Sequence, residues 1–204
     1  MRIVWIASVA LWLGVVAGGL GMVAAYDNRP GVSAQAVSSW PEASRLTPVA
    51  DRPTLVMVVH PRCDCSRASV AELAELMART TVPPRAYVVI LKPQGLSEDW
   101  DATGIRHAAM QIPGVKVVRD HGGGEARTFG AETSGQTFLY DARGRLLFSG
   151  GITAARGHMG ESVGRTAILS LLNKGAASNA TSPVFGCSLS SPADQRWAQD
   201  VRRP

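Results

Sequence analysis

The sequence predicts an α/β domain, a mixed β-sheet with helices on both faces, behind one long apolar helix. Three observations lead there. Residues 3–25 carry no charged side chain, strand-like and helix-like segments alternate from residue 54 to about residue 129, and two further strand-like segments flank a tight turn before a last helix. With 204 residues, 46% hydrophobic and 18% charged, the chain has the composition of one folded domain with extensions. That composition excludes a charged disordered chain and a multi-span membrane protein. Lys and Arg number 21 against 16 Asp and Glu, a net charge of +5, but the basic residues are scattered. A solvated basic surface explains them, and nucleic acid is not expected as a partner.

At about 1.5 Å per residue, a helix over residues 3–25 is long enough to cross a hydrocarbon core of about 30 Å. It reads as a single-pass membrane anchor. Val23-Ala24-Ala25 before Tyr26 also suits a signal-peptide cleavage site, which is the competing reading. Arg2 is the only charged side chain on the N-terminal side of the segment. The positive-inside rule therefore puts the folded body on the extracytoplasmic, periplasmic side, and both readings export it. Ala10, Gly14 and Gly18 form a small-residue row that offers a route to weak homodimerisation. Residues 26–50, broken by Pro30, Pro41 and Pro48, read as a flexible linker, and residues 51–174 as the folded domain. Residues 175–204 read as a mostly disordered tail in which the patch Pro183-Val184-Phe185-Gly186-Cys187 docks on the domain.

Inside the domain, Thr54-Leu55-Val56-Met57-Val58-Val59 is a continuous β-branched and apolar run and predicts a strand buried on both faces. From Ser66 to Thr80 the period becomes helical, with Val70, Leu73, Ala74 and Met77 on one face and Arg67, Glu72, Glu75 and Arg79 mostly off it. Ala86 to Leu91 predicts a second buried strand, and Ser97-Glu98-Asp99 an N-cap opening a helix toward Met110. Val115 to Asp120 reads as a short third strand, followed by a brief helix around Glu125 to Phe129. Thr137 to Tyr140 and Arg145 to Phe148 flank Asp141-Ala142-Arg143-Gly144 as a hairpin, and Ser162 to Leu172 supplies the last helix.

Three cysteines are too few for a disulfide scaffold and lack the spacing of a two-pair zinc site. Cys63 and Cys65, however, stand at the turn between the first strand and the first domain helix. Helix N-termini stabilise thiolates, Arg62 and Arg67 act in the same direction, and Asp64 opposes them, so both thiols are expected to titrate lower than usual. A disulfide between residues two apart closes a small ring and is expected to be strained and exchange-prone. Two inert buried thiols are the plain alternative, but the polar turn around them argues for exposure. Cys63 is the expected nucleophile, Cys65 the expected resolving thiol and Cys187 a third thiol expected to stay free. His60 is a candidate acid or base beside the thiols. His107 and His121 carry no expected role.

The order of elements, the motif His60-Pro61-Arg62-Cys63-Asp64-Cys65, the run Gly135-Gln136-Thr137-Phe138-Leu139-Tyr140-Asp141-Ala142-Arg143-Gly144-Arg145 and the segment Gly150-Gly151-Ile152-Thr153-Ala154-Ala155-Arg156-Gly157-His158 resemble membrane-anchored bacterial thioredoxin-like proteins. Within that superfamily they are most similar to the proteins called RedB, over about residues 50–174. The resemblance implies a thioredoxin-like fold and thiol–disulfide exchange on exported protein thiols or disulfides, without a cofactor. It marks Ser66 at the position of the usual second cysteine, and Ser134 and Gly135 where a cis-proline loop usually faces the thiols. Arg156 and His158 fall in the segment after the last strand. Thioredoxin-like copper chaperones use two Cys and a later His, so a Cu(I) site of Cys63, Cys65 and His158 is the alternative reading.

Overall fold

The structure, a computed structural model, describes residues 2–33 and 35–189. Helix α1 (Arg2–Asp27) buries none of its residues and is long and apolar enough to span a membrane. The domain that follows contains β1 (Thr54–Val59), α2 (Asp64–Arg79), β2 (Arg85–Lys92), α3 (Gly104–Met110), β3 (Val115–His121), α4 (Gly124–Phe129), β4 (Gln136–Tyr140), β5 (Leu146–Gly150) and α5 (Val163–Lys174). The five strands form one sheet in the order β3-β2-β1-β4-β5. β1, β2 and β3 run parallel, while β4 pairs antiparallel with β1 and with β5. This is the thioredoxin-like arrangement, with the chain crossing over through α2 and α3 before it turns back in the hairpin.

The all-apolar run of β1 is explained by its central place. Leu55, Met57 and Val59 face a core shared with Val70, Leu73 and Leu76 of α2, Ile105 of α3 and Ile168 of α5. Val56 and Val58 face the opposite core, with Ala126 and Phe129 of α4, Phe138 and Tyr140. A strand that no water reaches on either side has no use for alternation.

Two expectations need correction. No helix starts at Ser97: Trp100 N–H donates to the Ser97 carbonyl in a local turn, and α3 begins only after Thr103, whose side chain accepts from Arg106 N–H. The acidic signal was misleading because Glu98 bonds outward, to Lys92 at 2.7 Å and Arg119 at 3.0 Å. The stretch read as a flexible linker is docked instead. Leu46 is buried in the second core, and Trp40 sets its ring edge-on to Phe129 and Tyr140 at 5.3 and 5.2 Å. Ser38 and Trp40 also bond to the main chain of the β5 side of the hairpin, covering an edge that would otherwise be open. Proline rules out regular structure there without ruling out packing. Of the tail read as mostly disordered, residues 175–189 are described and their last nine lie against the domain, while residues 190–204 lie outside the described residues.

Candidate active site

The site grows out of the C-terminal end of β1. After Val59 the chain leaves the sheet, and His60 organises the turn: its N–H donates to Ser134 Oγ at 2.8 Å, and its Nδ1 accepts from Arg62 N–H at 3.1 Å. With Nδ1 occupied by the backbone and the ring edge-on to Trp100, His60 builds the turn. Arg62 stacks its guanidinium 4.8 Å from the centre of the Trp100 ring and donates to the Trp100 carbonyl. Trp100 was not singled out in the sequence, and its isolated position among turn residues gave no periodic signal.

Cys63 is the N-cap residue of α2, with extended backbone angles, and is buried. Cys187 arrives from 124 residues away and sets its sulfur 2.8 Å from the Cys63 sulfur, in hydrogen-bond contact with it. This bond, joined by the backbone N–H of Cys187 and by the hydroxyl and N–H of Ser66, outweighs burial and brings the Cys63 thiol down to about 5. Cys65, in the first turn of the helix and half-buried, moves the other way: burial raises it first, and the negative charge of Cys63 adds to that, against a lowering contribution from Arg156. Cys187 is raised most of all, because the proton it shares with Cys63 stays on it. The expectation that both helix cysteines titrate low therefore holds for Cys63 alone. The main cause is a third thiol, while Arg67 pairs with Asp64 on the exposed surface.

The loop before β4 completes the floor. Ser134 Oγ lies 2.6 Å from Ser66 Oγ, and Gly135 N–H donates to the Val58 carbonyl at 2.8 Å. Gly135 has φ +90°, and a Cβ there would stand 2.6 Å from Ser69 Oγ of α2. Strand and helix together fix a conformation that glycine adopts without strain.

Arg156 reaches the site through the backbone. Its guanidinium donates to the carbonyls of Arg29 and Gly186 and stacks over Tyr26, and its N–H donates to Asp27 at 2.9 Å. His158 is exposed, with Nδ1 2.6 Å from the Arg156 carbonyl. The copper-ligand set Cys63, Cys65 and His158 is corrected here. Among the described residues, the donors gathered closely enough for a metal ion are Cys63, Cys65 and Cys187, all within 4.8 Å of one another. His158 belongs to a loop tied down elsewhere, since Gly160 N–H donates to Glu72 at 2.6 Å and Glu72 pairs with Arg165 at 2.5 Å. That use explains why Glu72, expected off the buried face of its helix, is fully buried.

No protein-family model matches the chain, and no curated protein is significantly similar to it. Solved structures do share its fold. A hypothetical protein from Sinorhizobium meliloti 1021 is 19% identical with a TM-score of 0.54, covering 77% of this chain and 96% of its own. An uncharacterized conserved protein from Geobacillus kaustophilus is likewise 19% identical, with a TM-score of 0.57, covering 80% of this chain and 93% of its own. The fold and three gathered sulfurs, in a thioredoxin-like frame, suit redox chemistry or metal binding.

Proposed function

We propose that the chain is a membrane-anchored thiol–disulfide oxidoreductase of the RedB-like kind, acting on exported protein thiols or disulfides from the extracytoplasmic side without a cofactor. The observation that carries this reading is the Cys63 sulfur, set at a helix start with the Cys65 and Cys187 sulfurs within 4.8 Å, where the hydrogen bond with Cys187 brings its thiol down to about 5. At neutral pH it is a thiolate, the form that attacks disulfides. Its attack on a partner disulfide forms a mixed disulfide and releases the partner's other sulfur as a thiolate, which takes a proton from water. Forming that bond removes the negative charge that holds the neighbouring thiols protonated. A neighbour then loses its proton, attacks the Cys63 sulfur and releases the partner's second thiol. The partner gains two electrons, and two cysteines of this chain lose them. Run backwards, the same steps oxidise a partner dithiol.

A sulfur stabilised as thiolate favours the dithiol form, so a disulfide at Cys63 is expected to be oxidising, with a potential above about −300 mV. Equilibrating the full chain in detergent with glutathione buffers measures it. The gathered sulfurs also support a second reading, delivery of Cu(I) held by Cys63, Cys65 and Cys187. Stoichiometric Cu(I) that survives a strong chelator, together with a potential below that level, would favour delivery over exchange. A reporter fused to the C-terminus and active only outside the cytoplasm is the expected result for orientation.

A further inference from the structure

The groove beside Cys63 has an occupant, the chain's own C-terminal segment. Starting at Thr181, which bridges to Ser149, the segment passes Gly151, whose N–H donates to the Pro183 carbonyl at 3.2 Å, and Gly31, whose N–H donates to Val184 at 2.8 Å. Val184 and Leu189 are buried. Between them, Ser134 N–H donates to the Cys187 carbonyl and Leu189 N–H to the Glu132 carbonyl, both at 2.8 Å, around an antiparallel bridge of Thr133 to Ser188. The segment thus adds itself to the loop as a short strand, a mode by which sheets also take up foreign peptides. The fit leaves no slack. A Cβ on Gly186 would overlap the Ser134 carbonyl and stand 3.2 Å from Thr133 Cγ2.

We infer that this groove takes an extended, cysteine-bearing segment of the disulfide partner, and that Gly186-Cys187-Ser188-Leu189 is a resident copy of such a segment that covers Cys63 until displaced. The inference rests on the exchange reading and adds to it a form of self-competition. Its recognition chemistry follows from the resident: a residue without a side chain before the cysteine, backbone groups free to pair, and an apolar side chain two residues after it. When the resident lifts, oxidised glutathione reaches Cys63, and the returning resident closes the site on itself. Cys63 thiolate attacks one glutathione sulfur and expels the other glutathione. Cys187, giving its proton to water, then attacks the Cys63 sulfur and expels the second. One disulfide becomes two thiols, and two thiols of the chain become the Cys63–Cys187 disulfide.

The test measures alkylation of Cys63 by iodoacetamide in the full detergent-solubilised chain, read by peptide mass mapping on the rate plateau above neutral pH. Gly186→Ala is expected to raise the rate about tenfold, which corresponds to about 1.4 kcal/mol of lost strap docking. Arg156→Gln, which releases the Gly186 carbonyl without a steric clash, is expected to act in the same direction. A synthetic Pro-Val-Phe-Gly-Ser-Ser-Leu peptide added to the Gly186→Ala chain is expected to restore protection. Equal rates in parent and both variants, with the far-ultraviolet dichroism unchanged, would overturn the inference. So would a parent Cys63 that reacts as fast as a free thiol. Alkylation needs no exchange partner, so a Cys63 that is uncovered yet inert to glutathione disulfide would count against the exchange reading and leave the covering strap intact.

Discussion

Two segments strap this domain, residues 35–49 before the first strand and residues 181–189 after the last helix, and they hold on chiefly by different means. Beside the main-chain bonds of Ser38 and Trp40, the first inserts large side chains: Trp40 against two aromatic rings and Leu46 into the core. The second makes main-chain bonds along its length and passes glycines at close approach, at Gly150, Gly151 and Gly186. Side-chain burial tolerates small shifts and contributes bulk stability, about 1.5–3 kcal/mol for each large apolar group. Backbone pairing fixes position closely and fails at a single added carbon. The first strap therefore bears on whether the domain folds, and the second on where one sulfur sits.

The heaviest test of that division is Phe129→Ala. Phe129 is fully buried and seats Trp40, so the change is expected to lower the unfolding free energy by about 4 kcal/mol in urea titration. A loss below about 1 kcal/mol would mean that the first strap is not held by its aromatic seat. Trp40→Ala comes next, at about 2 kcal/mol because the ring is only half-buried, and it is expected to leave the Cys63 titration near 5. A shifted titration would join the two straps into one unit and end the distinction.

Cys187→Ala probes the other side. It removes the largest cause of the lowered Cys63 value, so the pH midpoint of Cys63 alkylation is expected to rise, with little change in unfolding midpoint. An unmoved midpoint would transfer the effect to Ser66 and the helix start. A smaller effect is expected in stability against pH. Cys63 is lowered in the folded state, so its contribution is present above the unfolded thiol value of about 8.5 and is lost as pH falls toward 5. Cys65 and Cys187 are raised, so theirs is complete below about 8.5 and is lost as pH rises beyond it. The difference in unfolding free energy between the parent and a chain with all three cysteines changed to serine is therefore expected to peak near pH 8.5, and a flat difference would refute it. Smallest of all, His158→Ala is expected to change unfolding by under about 0.5 kcal/mol and to leave Cu(I) affinity unaltered.

The sequence made β1 legible to the residue, because Thr54 followed by five apolar side chains in a row has few uses other than a strand covered on both sides. The hairpin and the last helix were legible from Gly144 and from Ser162, which caps α5. The start of α3 was misread because Glu98 and Asp99 resemble a first turn in any local window, and only the distant Lys92 and Arg119 reveal where Glu98 is used. The site divides in the same way. Cys63 and Cys65 announced themselves by spacing. Cys187 was visible as part of a docking patch, but its pairing with a loop more than fifty residues away follows from sheet geometry, which no periodicity encodes.

Arg156 ties the far end of α1 to the thiols, since it bonds to Asp27, stacks on Tyr26, holds the Gly186 carbonyl and acts on Cys65. With α1 in a bilayer, as proposed, this arrangement mounts the reacting sulfur beside the lipid headgroups instead of on a long tether. Encounter becomes a search in a plane. On the exchange reading proposed above, partners that carry their disulfide at the same height above the membrane would meet it by lateral diffusion, while those reacting far from the surface would be out of register, so height would serve as a selectivity filter alongside peptide sequence.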